Sequence, residues 1–303
     1  MKDFSDWEVI DYKFSGASEK IALFSKKEQR SCVFKFPKKF NEYEEEVSSE
    51  YFSEKLSKDI ADALKIKCAE VDIGMYQGRI GSASYFFIND IFENDTKEKF
   101  IEGIQFIENK YPSFNRDAFM DIATKEYYSI DMILNSLPNE TIMRQFYEIL
   151  IFDALIGNSD RHYSNWGIIK YNSYELAPLY DNGSSLCSYI KDQDSILDDF
   201  FTDSNRFNAL VDTKSKSIIR IKGKAKPSHF EVLKYIFERY GKDCERVIIA
   251  LNENLTEKSI GDMIHKYRNM NILSNKKLDL ILKFLISKRN KILNLYNERR
   301  IYR

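Results

Sequence analysis

A chain of 303 residues, 43% hydrophobic and 31% charged, can bury a substantial core and is long enough that this core should divide into two lobes. Its 46 basic and 47 acidic residues leave a net charge of -1, which excludes a global field steering it onto nucleic acid or an anionic membrane. No apolar run approaches bilayer length, and Cys32, Cys68, Cys187 and Cys244 are too far apart for a zinc pattern or a disulfide framework, so a reducing cytoplasm is the expected setting.

Met1 to Phe14 carries acidic and aromatic residues where a signal peptide needs a basic start and an apolar run. Lys20 to Ser25 and Ser31 to Pro37 are short β-prone runs around the charged turn Lys26 to Arg30, the pattern of a hairpin. From Val47 to Leu64 the period changes. Phe52, Leu56, Ile60 and Leu64 recur every four residues and predict an amphipathic helix. Val71 to Gln77 and Ser84 to Asn89 predict two more strands around the turn Gly78-Arg79-Ile80-Gly81. Beyond Asn89 the texture is helical through Phe100 to Glu108, Asp117 to Leu137 and Asn139 to Gly157. A strand-and-loop island interrupts at Asn158 to Ser188, and helices resume from His229 to Arg303. The expected fold is α+β and bilobed: a small β-rich lobe with one helix over residues 1–89 and a larger, mainly helical lobe over 90–303.

The informative chemistry lies in the island. Asp160 is followed five positions later by Asn165 and, after a β-like stretch, by Asp181. Phosphoryl transfer needs one carboxylate to orient a hydroxyl and two oxygen ligands to hold a metal against the phosphates, and kinase catalytic loops carry them in that order along the chain. The spacing alone is weak, because Asp and Asn are common loop residues. Lys35 strengthens it: an ammonium inside the apolar strand Val33-Phe-Lys-Phe36 needs a phosphate or carboxylate partner. Glu50, at the start of the helix, is placed to pair with Lys35, and Glu54 one turn on is its rival. Gly16, in Phe14 to Lys20, lets backbone approach a ligand, although the loop lacks a Gly-x-Gly-x-x-Gly run.

Gly157-Asn-x-Asp-Arg-His-x-x-Asn165 and Leu176-Ala-Pro-Leu-Tyr-Asp181, with Gly16-Ala-x-Glu-Lys20, Phe34-Lys-Phe-Pro37 and Ser49-Glu-Tyr51 upstream, resemble in type and order the motifs of the HipA-like serine/threonine kinases, above all their compact branch. The likeness covers Phe14 to Ser185 by motif. It implies a protein-kinase-like fold with ATP and Mg²⁺ in the cleft. Gly16, Ala17, Ser18 and Lys20 would cover the nucleotide, Lys35 would hold its α- and β-phosphates, and Asn89 and Ile91 would lie at the hinge. Glu50 would pair with Lys35, Asp160 would be the base, Asn165 and Asp181 would hold Mg²⁺, and Arg161 and His162 would support the loop. The implied partners are a protein substrate with a serine or threonine hydroxyl and an antitoxin or other regulatory protein. Ser15 and Ser18 are the serines nearest the family's autophosphorylated stretch.

Two other readings share parts of this pattern. A small-molecule phosphotransferase of the antibiotic-kinase type has the same Asp, Asn and Asp logic, although His162 after Asp160-Arg161 favours the HipA-like motif. A pseudokinase or binding module could dock nucleic acid through Lys214, Lys216, Arg220, Lys222, Lys224 and Lys226, but such a run is more often a solvated edge, and nucleic acid is not an expected partner.

Overall fold

The computed structural model describes residues 1–12, 14, 18–41, 43, 45–88 and 98–301, the last two as backbone only. Six strands build the first sheet: β1 (Lys2–Asp3), β2 (Glu8–Ile10), β3 (Lys20–Ser25), β4 (Arg30–Lys35), β5 (Val71–Tyr76) and β6 (Arg79–Tyr85). Their order is β1-β5-β6-β4-β3-β2, antiparallel except where β1 meets β5. The two-residue period sorts their side chains. Cys32, Phe34, Ala83 and Tyr85 enter a small core with Phe4, Trp7, Leu23, Phe36 and Tyr76. Val33, Lys35, Ser82 and Ser84 therefore face the other way, into a cleft.

The turn between β5 and β6 is shorter than expected. Gln77 and Gly78 both take positive φ (48° and 77°), the two-residue hairpin whose twist matches the strands, so β6 begins at Arg79 and ends at Tyr85. The predicted strand Ser84 to Asn89 is thus displaced, and Asn89 lies outside the described residues. Helix α1 (Glu50–Ala63) has the expected stripe, with Phe52, Leu56, Ile60 and Leu64 all 0% exposed. That stripe packs into the large core of the later helices and not into the small one, with Phe52 edge-on to Tyr267 at 5.0 Å between centroids.

The remainder runs through β7 (Lys99–Glu102), α2 (Gly103–Lys110), β8 (Phe114–Asn115), β9 (Met120–Asp121), α3 (Ile130–Ser136), α4 (Glu140–Ile156), β10 (Gly167–Lys170) and β11 (Tyr174–Leu176). Then come α5 (Asp194–Thr202), α6 (Ser204–Ala209), a π-helical turn at Leu210–Lys214, α7 (His229–Tyr240), α8 (Glu245–Glu253), α9 (Glu257–Arg268) and α10 (Asn275–Ile301), which packs against α4, α5, α7, α8 and α9. None of the helices among the described residues is long and apolar enough to cross a membrane. All four cysteines are unpaired, and Cys32, Cys187 and Cys244 are buried as small apolar side chains.

Three helical expectations need correction. Lys99–Glu102 is a strand paired with β10, so the helix predicted from Phe100 starts only at Gly103. Of Asp117 to Leu137 only Ile130–Ser136 is helical. Asn115 Oδ1 and Asp121 Oδ2 accept from the Ala118 and Thr124 amides, side-chain bonds that offer the backbone an alternative to a helix. Helices also resume earlier than His229, at Asp194. Leu197 and Phe200 are the buried face of an amphipathic segment concealed by its aspartates. In the basic run, Lys224 pairs with Glu231 and Arg220 lies 3.7 Å from the Tyr127 ring centroid, so these two are engaged within the chain.

The large core holds a polar anomaly where α7 meets α10. Lys288 Nζ and His229 Nε2 are buried without hydrogen-bond partners, and the ammonium lies 4.8 Å from the Phe230 ring centroid. Burial pushes the Lys288 pKa down to about 7, and burial together with the charge of Lys288 keeps His229 well below its ordinary value. The unfolded chain then binds more protons than the folded one, so stability is lost as pH falls from the ordinary lysine value towards 7. Lys288→Met is expected to raise stability at pH 7, with a ceiling of roughly 4 kcal/mol, and the gain should vanish near pH 10.5. Denaturant titrations at the two pH values measure this, and a gain independent of pH would refute it.

Candidate active site

Helix α4 ends at Gly157, whose left-handed backbone (φ 71°) turns the chain into the loop carrying Asp160. This loop is wound on its own backbone. Asn158 Oδ1 accepts from the Asp160 amide at 3.0 Å, and the Asp160 carbonyl accepts from the His162 amide at 2.9 Å and from Asn165 Nδ2 at 2.7 Å. With its nitrogen committed to that carbonyl, the Asn165 side chain keeps its oxygen as an acceptor.

Arg161 points into the protein and is 1% exposed. Its guanidinium donates to Asp153 Oδ1 at 2.7 Å, to the carbonyls of Asn165 and Tyr180 at 2.7 and 3.0 Å, and to Asn182 Oδ1 at 2.7 Å. One rigid planar group thereby sets the Asp160 loop against the Tyr180 to Asn182 segment. Asp181 has φ 56°, a left-handed conformation uncommon outside glycine that persists because its neighbours fix it.

From the sheet side, Lys35 Nζ reaches Glu54 Oε1 at 2.9 Å and Asp181 Oδ1 at 3.0 Å. The other Glu54 oxygen accepts from the Asn182 amide at 3.0 Å, so one carboxylate joins β4, α1 and the Asp181 segment. Burial pulls the Lys35 ammonium towards neutrality, but Asp181 and Glu54 outweigh it and raise the pKa above the ordinary lysine value. For Asp181 burial acts upward, and Lys35 in return holds the carboxyl below its usual range. Asp160 moves the opposite way: burial raises it, and the charge of His162 offsets this only in part.

The expected pair of Glu50 with Lys35 is not formed. Glu50 Oε1 lies 3.6 Å from Lys38 Nζ, and its Oε2 accepts from Ser48 Oγ at 2.8 Å and from the Lys38 amide at 3.1 Å. Glu50 and Glu54 share one helix face, about 6 Å apart along the axis. Lys35 meets the deeper of the two, Glu54, which is 2% exposed.

These groups stand together in a cleft of about 990 Å³. Val33, Ser82 and Ser84 line it from the sheet, and Phe86, Phe87 and Ile88 follow. The Phe87 ring lies 5.6 Å from Phe100 and 5.9 Å from Tyr180, between centroids. An apolar slot beside a lysine, carboxylates and an amide suits a flat aromatic group attached to phosphates. Asp181 and Asn165 offer hard oxygen donors, and magnesium takes few of these from protein when phosphates and water complete its shell. The donor set fits on that ground, although no group of three His, Cys, Asp or Glu residues suited to a metal occurs among the described residues.

Residues 12–257 match the family described as the HipA-like C-terminal domain. The chain belongs to this family. It is similar to serine/threonine-protein kinase CtkA of Helicobacter pylori (strain J99 / ATCC 700824), at 24% identity over 309 residues that span 99% of this chain and 88% of that protein. The crystal structure of the Helicobacter pylori proinflammatory kinase CtkA matches with a TM-score of 0.78 at 22% identity, over 99% of this chain and 98% of the other. HipA from the Shewanella oneidensis MR-1 toxin-antitoxin system, solved with HipB and operator DNA, matches at TM-score 0.58 and 14% identity, over 96% of this chain and 67% of that one. The α+β fold expected of a HipA-like protein is the fold observed.

Ser18, Lys20, Lys35, Glu50, Asp160, His162, Asn165 and Asp181 all line the one cleft. Gly16, Ala17, Asn89 and Ile91 lie outside the described residues. His162 Nδ1 accepts from the Ser164 amide at 3.1 Å, which fixes the ring within the HipA-like loop. Sequence reasoning left out Asp153 and Asn182, the partners of Arg161, and the cleft rings of Phe100 and Tyr180. Asp153 had a signal: it is the lone charge in the apolar stretch Ile149 to Ile156, as Lys35 is in its strand.

Proposed function

We propose that this member of the HipA-like family is an ATP- and magnesium-dependent serine/threonine protein kinase of the cytoplasm, with residues 1–89 as nucleotide lobe and 90–303 as catalytic lobe. The observation that carries the proposal is the Lys35 and Glu54 ion pair, which meets Asp181 in the cleft shared with Asp160 and Asn165. Lys35, held by Glu54, anchors the α- and β-phosphates of ATP. Asn165 and Asp181 would hold magnesium, which when bound neutralises charge on the phosphates. Asp160 orients a serine or threonine hydroxyl and accepts its proton as that oxygen bonds to the γ-phosphorus and the bond to ADP breaks. Arg161 keeps the two halves of the site in register from behind. The name of CtkA supports a protein hydroxyl as acceptor, and the HipA neighbour, solved with HipB, supports an antitoxin-like or other regulatory partner.

A ligand that binds only the folded state at a hundredfold excess over its dissociation constant adds about 2.7 kcal/mol of stability. ATP with Mg²⁺ is therefore expected to raise the melting temperature of the wild type. Asp181→Asn should lose most of that shift and Asp160→Asn should keep it, because only the former removes a metal ligand. Absence of any nucleotide shift at millimolar ATP would sink the proposal. Transfer of the label from ATP to aminoglycosides but to no protein of a lysate would move it to a small-molecule phosphotransferase.

A further inference from the structure

The segment that follows Asp181 is restrained by a buried lysine from the far end of the chain. Lys277, in the first turn of α10, is 0% exposed, and its ammonium donates to the Cys187 carbonyl at 2.8 Å and to the Ile190 carbonyl. The segment requires such a restraint. Leu186 and Cys187 are consecutive non-glycine residues with left-handed φ of 48° and 62°, each unfavourable by roughly 1–2 kcal/mol. Burial pulls the Lys277 pKa down to about 8, so the contact is held against an electrostatic cost, and its two acceptors are backbone carbonyls and not a carboxylate.

From these residues the hydrogen bonds continue to the site. The Ser188 carbonyl accepts from the Ser49 amide at 3.2 Å, and the Ser185 carbonyl accepts from Ser53 Oγ at 3.0 Å, which fixes the first turns of α1. Ser185 Oγ donates to the Asn182 carbonyl at 2.6 Å, and the Asn182 amide in turn donates to Glu54. The path is short, running through Ser188, Ser185 and Asn182, and it ends on the carboxylate that holds Lys35.

We infer that Lys277 is a positioning residue for the Lys35, Glu54 and Asp181 group, so that the N-terminus of α10 sets the geometry of the cleft through the Ser185 to Ile190 segment. Its consequence for catalysis rests on the kinase reading; its consequence for Glu54 does not. Lys277→Met keeps the length of the side chain and removes the donors, whereas Lys277→Arg restores donors. In folded protein the Met variant is expected to exchange amide hydrogens faster in residues 49–57 and 181–190 and to lose about 10–100-fold in kcat/KM, with partial recovery in the Arg variant. Ser185→Ala cuts the same path one link on and should show the same exchange pattern even where Lys277→Met does not fold. Lowered melting temperature with unchanged exchange and kinetics in these variants would reduce Lys277 to a packing role and overturn the inference. A wild type that neither binds ATP with Mg²⁺ nor transfers phosphate would refute the kinase proposal instead, and the exchange data would still decide the role of Lys277.

Discussion

Asp160→Asn is expected to lower phosphoryl transfer by about 10²–10⁴-fold while changing stability by no more than about 0.5 kcal/mol. The two effects separate because the loop is held through the backbone of Asp160 and not through its carboxylate. The amide rests on Asn158 Oδ1, and the carbonyl receives the His162 amide and Asn165 Nδ2. Those bonds survive the change to Asn. Burial disfavours the charged form of Asp160, so removing the charge does not strain the fold. The loss should appear in kcat and not in the nucleotide-induced shift. Single-turnover transfer and thermal unfolding of the same preparation check this, and near wild-type turnover would remove Asp160 as the base.

The largest loss of stability is expected at Arg161. Its partner Asp153 is 3% exposed, so Arg161→Met leaves a buried carboxylate uncompensated, a change that costs about 3–5 kcal/mol. The carbonyls of Asn165 and Tyr180 and Asn182 Oδ1 lose a donor together with it. For a chain of this length the melting temperature should fall by roughly 5–8 °C. If the cost arises from the stranded charge, Asp153→Asn made in the Arg161→Met background should recover part of it, because residues that share one ion pair are not additive. A fall of only a degree or two would show that the loop stands without its guanidinium.

Much of this arrangement was legible in the residues. Strands β3 and β4 and helices α1 and α4 follow from period and punctuation, and Lys35, Asp160, Asn165 and Asp181 follow from unlikely charges and their spacing. What was not legible is of two kinds. Glu50 and Glu54 lie on one helix face, so periodicity leaves their order open, and only the depth at which Lys35 enters decides for Glu54. The rings of Phe87, Phe100 and Tyr180 come from three distant segments and meet only when β7 pairs with β10, a long-range contact that no local pattern announces. The short strand Lys99–Glu102 and the Met120–Asp121 hairpin were lost for a related reason, since a few residues carry too little pattern to outweigh an apolar background.

The burial of α1 has a mechanical consequence. The helix lies against β5 and β6, while Phe52, Leu56, Ile60 and Leu64 join the core that also holds the later helices. The sheet keeps a second core of its own on its opposite face. Helix α1 is therefore an axle shared by the two parts of the molecule, and Lys35 with Glu54 is a rivet between β4 and that axle. A force that opens the cleft would load the rivet first. Probes placed on β4 and on α1 would register its failure, whereas a pair on α1 and β5 would travel together.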